Sequence, residues 1–143
     1  MKKTVLLAQP IHEAGTSILR DRDDVELVIL SPYSDDAFEA AIATAHAVIL
    51  RVTPLSAEMI AAAPHLEIVS RHGVGYDAVN LPALNARNIP LVIATDGNKI
   101  SVAELAFSFL LSLAKNQAAF DTETKRGRYH GVRAERGLFD VAG

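Results

Sequence analysis

Apolar, β-branched runs recur at near-constant spacing through the first part of the chain, at residues 4–8, 25–30, 47–50, 67–70 and 90–94. Segments of mixed polarity and helical length separate them, at residues 11–20, 34–44, 56–63 and 81–88. Strands that alternate with helices form a parallel sheet with helices on both faces. The pattern therefore predicts an α/β fold with a five-stranded sheet, either flavodoxin-like or half of a Rossmann fold.

The repeat breaks near residue 98, and residues 100–120 have the pattern of one long helix. The segment opens with Ser101 and Glu104 in the Ser-x-x-Glu spacing of a capping box. Its apolar residues cover nearly the whole circumference, and a helix of this kind is buried by more than one neighbour. We therefore expect two domains, residues 1–98 and 99–143, and a second body that covers the helix. The polar tail, residues 121–143, lacks the periodicity of a further core element.

Composition narrows the class of protein. Half of the residues are hydrophobic and 22% are charged, which is typical of a globular protein. The net charge of −3 gives no electrostatic case for nucleic acid, and no apolar run approaches the length of a membrane span. The chain has no cysteine, and its five histidines lack metal-ligand spacing. We expect a cytoplasmic protein with no metal site and no nucleic-acid or membrane partner.

A glycine-rich turn follows the fourth predicted strand. Backbone amides in such a turn have no ladder partner and are suited to bind an anion. Residues 73–78 also match the dinucleotide fingerprint G-x-G-x-x-A, and Asp96 follows the next predicted strand. That fingerprint normally lies in the first βα turn, however, and Pro82 delays the next helix. Three interpretations stay open: an anion site, a dinucleotide site, or a tight turn that simply needs glycine.

A second loop, residues 51–56, follows the third predicted strand. Ligands of open α/β sheets bind beyond the carboxyl ends of the strands, so this loop and the glycine turn are expected to be neighbours. Arg51 and Arg71 could then hold a small carboxylate, or they could pair with Asp77 or Glu58. The residues themselves leave both possibilities open.

The motifs, taken in order, resemble the D-isomer-specific 2-hydroxyacid dehydrogenases, with phosphoglycerate dehydrogenase and hydroxypyruvate reductase as the nearest types. The resemblance rests on RHGVGYDAVNL at 71–81, NIPLV at 88–92, DGN at 96–98 and SVAE at 101–104. It implies a flavodoxin-like substrate domain and a crossover helix, residues 101–118, that leads into a Rossmann NAD domain and contributes to a homodimer interface.

The resemblance also implies roles for individual residues. The amides of Val74 and Gly75, in the turn opened by Gly73, would hold the carboxylate of a 2-hydroxy or 2-keto acid. The other side of the site would be lined by Arg51, Val52 and Thr53. A contact with the NAD cofactor is implied at Val102.

The family's catalytic Arg, Glu and His and its NAD-binding turn have no counterpart in this sequence, and His72 does not take their place. The resemblance therefore implies a substrate-domain fragment with no catalytic residue, no dehydrogenase activity and no tight NAD binding of its own. Two alternatives remain. One is a partner-binding module related to dehydrogenase-like corepressors, and the other is a free-standing nucleotide binder that uses residues 73–78 and Asp96.

Overall fold

The computed structural model describes residues 1–135 and 138–141, and the chain divides into two compact units, Met1–Gly97 and Asn98–Gly143. Strands and helices alternate in the first unit: β1 (Lys3–Leu7), α1 (Glu13–Arg20), β2 (Val25–Ile29), α2 (Asp35–Ile42), β3 (Ala47–Leu50), α3 (Ala57–Ala61), β4 (Ile68–Arg71), α4 (Leu81–Ala86) and β5 (Leu91–Ile93). The second unit is helical: α5 (Lys99–Ala114), α6 (Gln117–Lys125) and α7 (Tyr129–Glu135).

The five strands form one parallel sheet in the order β2-β1-β3-β4-β5. This is the strand order of flavodoxin-like folds, and it confirms the predicted five-stranded α/β architecture. Adjacent strands are in direct register, with Leu7 opposite Ile29 on one side and Ile49 on the other. Since all strands run in the same direction, the loops after β1, β3 and β4 emerge at one edge of the sheet.

The core of the first unit lies against the central strands. Leu6, Val48 and Leu50 are fully buried, as the continuous apolar runs predicted. Phe38 and Ile42 of α2 belong to the same cluster of buried side chains. Burial of these side chains is the main stabilising term for the sheet.

Side-chain caps fix where the short helices begin. The hydroxyl oxygens of Ser34 and Ser56 accept hydrogen bonds from backbone amides of α2 and α3, both at 3.2 Å. The Asn80 side chain accepts the amide of Ala83 at the start of α4, at 3.0 Å. Each cap satisfies an amide that has no partner within its helix.

The second unit corrects two predictions. The long helix ends at Ala114 and not at residue 120, because Asn116 adopts a left-handed conformation with φ 47° and a new helix begins after it. The predicted capping box is wrong, since α5 begins at Lys99, before Ser101, and its N-cap makes no side-chain hydrogen bond. The polar tail forms the end of α6 and all of α7, and α6 has no buried residue.

Helix α5 exposes large apolar side chains and has no buried residue. Leu113 is 78% exposed, and Phe107 and Phe109 are exposed as well. Among the helices of the described ranges, none is long and apolar enough to cross a membrane.

Candidate functional site

The loops after β3 and β4 are bonded to each other. These strands are adjacent in the sheet, and Leu50 pairs with Arg71 where they end. Further on, the amide of Leu55 donates to the carbonyl of Ala78 at 2.9 Å, and the amide of Asn80 donates to the carbonyl of Leu55 at 2.9 Å. The arginine loop and the glycine turn therefore form one continuous surface at the carboxyl edge of the sheet.

Gly73 is required by the turn itself. Its φ is 156°, a value that residues with a side chain rarely adopt. Its amide donates to the carbonyl of Arg71 at 2.8 Å, and its carbonyl accepts the amide of Ala94 at 3.1 Å. A Cβ atom here would lie 3.2 Å from Nη1 of Arg71. The glycine thus lets the chain turn and lets the Arg71 guanidinium lie against the backbone.

In the part of the chain that the structure describes, the N–H groups of Val74 and Gly75 donate to no protein acceptor. Both residues are exposed. A Cβ atom on Gly75 would meet only Oδ2 of Asp77, at an ordinary 3.6 Å, so the local structure does not itself require glycine there. Successive free amides in a turn form a concave site for an anion.

Two arginines lie at the ends of the adjacent strands β3 and β4. Arg51 donates to the carbonyl of Pro10 at 3.3 Å, and Arg71 donates to the carbonyl of His72 at 3.1 Å. Within the described ranges neither arginine forms an ion pair, so the alternative pairings with acidic neighbours do not occur. Two guanidinium charges at the same edge of the sheet as these amides favour a small anion, and a carboxylate matches the geometry of a guanidinium.

Val52 and Thr53 differ in their environments. The Val52 side chain is 71% exposed, and its amide donates to Oε1 of Gln9 at 3.1 Å. Thr53 is buried, and its Oγ1 has no hydrogen-bond partner among the described residues. The sequence did not indicate the supporting role of Gln9. Gln9 lies in the segment after β1, and this position points to the role only once the strand order is known.

The turn does not have the geometry of a dinucleotide site. After Ala78 the chain makes a β-bridge from Val79 to Leu55, and α4 begins only at Leu81. A dinucleotide fingerprint instead places the pyrophosphate at the start of a helix that opens within the turn. The described residues of this edge therefore do not fit NAD. Val102 lies in α5 of the second unit, where it is exposed.

Comparison with known proteins identifies a family match. The family model described as "D-isomer specific 2-hydroxyacid dehydrogenase, catalytic domain" matches residues 5–135. The D-3-phosphoglycerate dehydrogenase of Archaeoglobus fulgidus is 32% identical over 126 residues, which are 87% of this chain and 24% of that protein. The enzyme of the same name from Mycobacterium tuberculosis is 35% identical over 122 residues, 85% of this chain and 23% of its own length. The chain thus spans about a quarter of the length of these relatives.

Solved structures show the same fold. A 2-hydroxyacid dehydrogenase from Ketogulonicigenium vulgare is 27% identical and superimposes with a TM-score of 0.71, over 98% of this chain and 43% of that one. The 3-phosphoglycerate dehydrogenase of Entamoeba histolytica, solved with NAD+ bound, is 23% identical with a TM-score of 0.69 and covers 78% of this chain and 39% of its own.

Proposed function

The chain belongs to the D-isomer specific 2-hydroxyacid dehydrogenase family, and from this premise we propose that the unit Met1–Gly97 binds the carboxylate of a small 2-hydroxy or 2-keto acid. One observation carries the proposal: the amides of Val74 and Gly75 have no acceptor among the described residues. They lie in a turn that the Arg71 guanidinium contacts, and Arg51 lies at the end of the neighbouring strand; within the described ranges neither arginine forms an ion pair.

In this proposal the two amides donate to one carboxylate, and Arg51 or Arg71 supplies the compensating charge. Charge-assisted hydrogen bonds of this kind are stronger than neutral ones, and two donors at fixed positions also set the orientation of the acid. The unit therefore contributes substrate binding and orientation to the reaction. In this proposal no side chain of this edge acts as a general acid or base, so we expect the unit to transfer no proton itself.

For the intact protein we propose an NAD-dependent oxidoreductase that interconverts a D-2-hydroxy acid and a 2-keto acid. The family match supports this activity, and NAD would supply or accept the hydride. Since the described residues at the sheet edge do not fit NAD, we assign no step of the reaction to this unit beyond substrate binding. We also propose that this chain alone neither turns over NADH nor binds NAD tightly.

The test is a titration of the ¹⁵N-labelled chain with hydroxypyruvate, followed by NMR. We expect the amide resonances of Val74 and Gly75 to shift in a saturable way, because hydrogen bonding to a carboxylate changes their environment. The matched control is a neutral amide analogue of the same acid, which should leave these resonances in place. Saturable shifts only at other residues, or equal shifts with the neutral analogue, would overturn the proposed site.

We further propose that the protein forms a homodimer through α5. Support comes from the exposed apolar side chains of this helix, Phe107, Phe109 and Leu113 among them. A monomer rarely keeps so large an apolar surface in water. The predicted interface, residues 101–118, spans most of α5, the break at Asn116 and the start of α6.

A further inference from the structure

The arginine loop is bonded to the segment that follows β1. The amide of Val52 donates to Oε1 of Gln9 at 3.1 Å. Next to this contact, Nη1 of Arg51 donates to the carbonyl of Pro10 at 3.3 Å. The first hydrogen bond holds the backbone of the loop, and the second holds the arginine side chain. Two consecutive residues of the segment therefore hold two consecutive residues of the loop.

The segment after β1 is itself constrained at both ends. Ala8 is fully buried, and its amide donates to the carbonyl of Ile49 at 3.1 Å, which extends the ladder between β1 and β3. At the other end, the His12 side chain caps the start of α1. In between, the ring of Pro10 fixes its own φ and disfavours a helical backbone at Gln9. The two acceptors that contact the loop therefore come from a constrained stretch of backbone.

Polar contacts, and not packing, hold this end of the loop. Arg51 is exposed, and the Val52 side chain is 71% exposed, so burial of these side chains contributes little. Gln9 is half-buried, and only the oxygen of its carboxamide can accept a backbone N–H. The position of the loop therefore depends on an acceptor at the end of the Gln9 side chain.

We propose that Gln9 is a positioning residue for carboxylate binding, which holds the Val52 amide and so presents Arg51 to the substrate from one place. The inference rests on the proposed function of this edge. Arg71 needs no such support, because its guanidinium lies against Gly73 of its own turn. Of the two arginines, only Arg51 therefore depends on the segment after β1.

The first test measures the Kd of hydroxypyruvate for the full chain by NMR titration, which also detects weak binding. Gln9→Met keeps the length of the side chain and removes the acceptor, so we expect the Kd to rise between about 2-fold and 10-fold. In an Arg51→Met background the same substitution should change the Kd by less than about 2-fold, because Gln9 acts through Arg51. In an Arg71→Met background its full effect should remain. An unchanged Kd in Gln9→Met, or equal effects in the two backgrounds, would overturn the proposal.

A second measurement needs no substrate and separates failure of this inference from failure of the proposed function. In the ligand-free chain, the Val52 amide should exchange with solvent faster in Gln9→Met than in the wild type, whereas Gln9→Glu keeps an acceptor and should keep exchange slow. Gln117→Met, which removes a glutamine carboxamide in the second unit, should leave the rate unchanged. Faster exchange in Gln9→Met, together with no hydroxypyruvate binding by the wild type, would retain the hold on the loop and reject the carboxylate site. Unchanged exchange in Gln9→Met would reject the positioning role.

Discussion

Two glycines separated by one residue have different physical requirements. Gly73 adopts a φ that residues with a side chain rarely adopt, and the guanidinium of Arg71 lies against it. Gly75 has neither constraint, since a Cβ atom there would meet only a carboxylate oxygen at 3.6 Å. The first glycine therefore serves the fold of the turn, whereas the second leaves the free amides open to an approaching ligand.

Alanine substitutions should separate these roles. We expect Gly73→Ala to lower the free energy of unfolding by about 1 to 3 kcal/mol, because it strains the backbone and displaces Arg71. We expect Gly75→Ala to change stability by less than about 0.5 kcal/mol, yet to weaken carboxylate binding. Urea unfolding and hydroxypyruvate titration of both variants measure the two effects. An equal loss of stability in both variants would contradict this division of roles.

Only part of the site could be predicted from the sequence. Arg51, Val74 and Gly75 stand in local motifs at the ends of apolar runs, and such positions are visible in a linear pattern. Gln9 is not visible in this way. Its side chain holds the amide of Val52 from the segment after β1, and only a strand order that places β1 beside β3 brings that segment to the arginine loop.

At the scale of the elements, the strands were predictable because central parallel strands are apolar on both faces. The end of α5 was not predictable, since residues Gln117 to Phe120 continue the mixed polar and apolar pattern of a helix. The break depends on one backbone conformation, the left-handed φ of Asn116, which asparagine tolerates better than most residues. A Ser-x-x-Glu spacing likewise gives no cap when the helix already begins at Lys99.

A charge cluster links the end of α6 to the segment before α7 and should make this region sensitive to acid. Arg128 donates to both carboxylate oxygens of Glu123, at 2.6 and 2.9 Å, and Arg126 donates at 3.1 Å. The hydrogen bond from Arg128 is the largest cause that lowers the pKa of Glu123 below its usual 4.5. Since the folded-state pKa is the lower one, this stabilisation is present above pH 4.5 and is lost as the pH falls through the folded-state value.

Backbone ¹³C chemical shifts of α6 and α7, followed during acidification, measure this effect. The wild type should lose helical shifts as the pH falls below 4.5, and Glu123→Gln should show reduced helicity already at neutral pH, with a weaker acid transition. Glu104→Gln provides the control, because Glu104 is an exposed residue of α5 that forms no ion pair within the described ranges. An acid transition that Glu123→Gln leaves unchanged would exclude the cluster as its source.

At the scale of the whole molecule, the apolar circumference of α5 predicted a second body, and the structure shows which side chains such a body would cover. The apolar stripe includes Val102, Phe109 and Leu113, with exposed fractions of 57%, 59% and 78%. Ser101, Ser108 and Ser112 follow the spacing of a separate, polar stripe. The sequence could show that this surface needs a partner, but its pattern is the same whether another domain or another copy of the chain covers it.

Light scattering distinguishes these possibilities for this chain. If α5 packs against a second copy, the particle mass should be twice 15.3 kDa. Phe109→Glu should then give the mass of one chain, since a buried carboxylate without a partner opposes association by several kcal/mol. Ser108→Glu adds the same charge to the polar stripe and should leave the dimer intact. A wild-type mass of 15.3 kDa at high concentration would contradict self-association, and equal disruption by both variants would indicate charge repulsion rather than an interface through the apolar stripe.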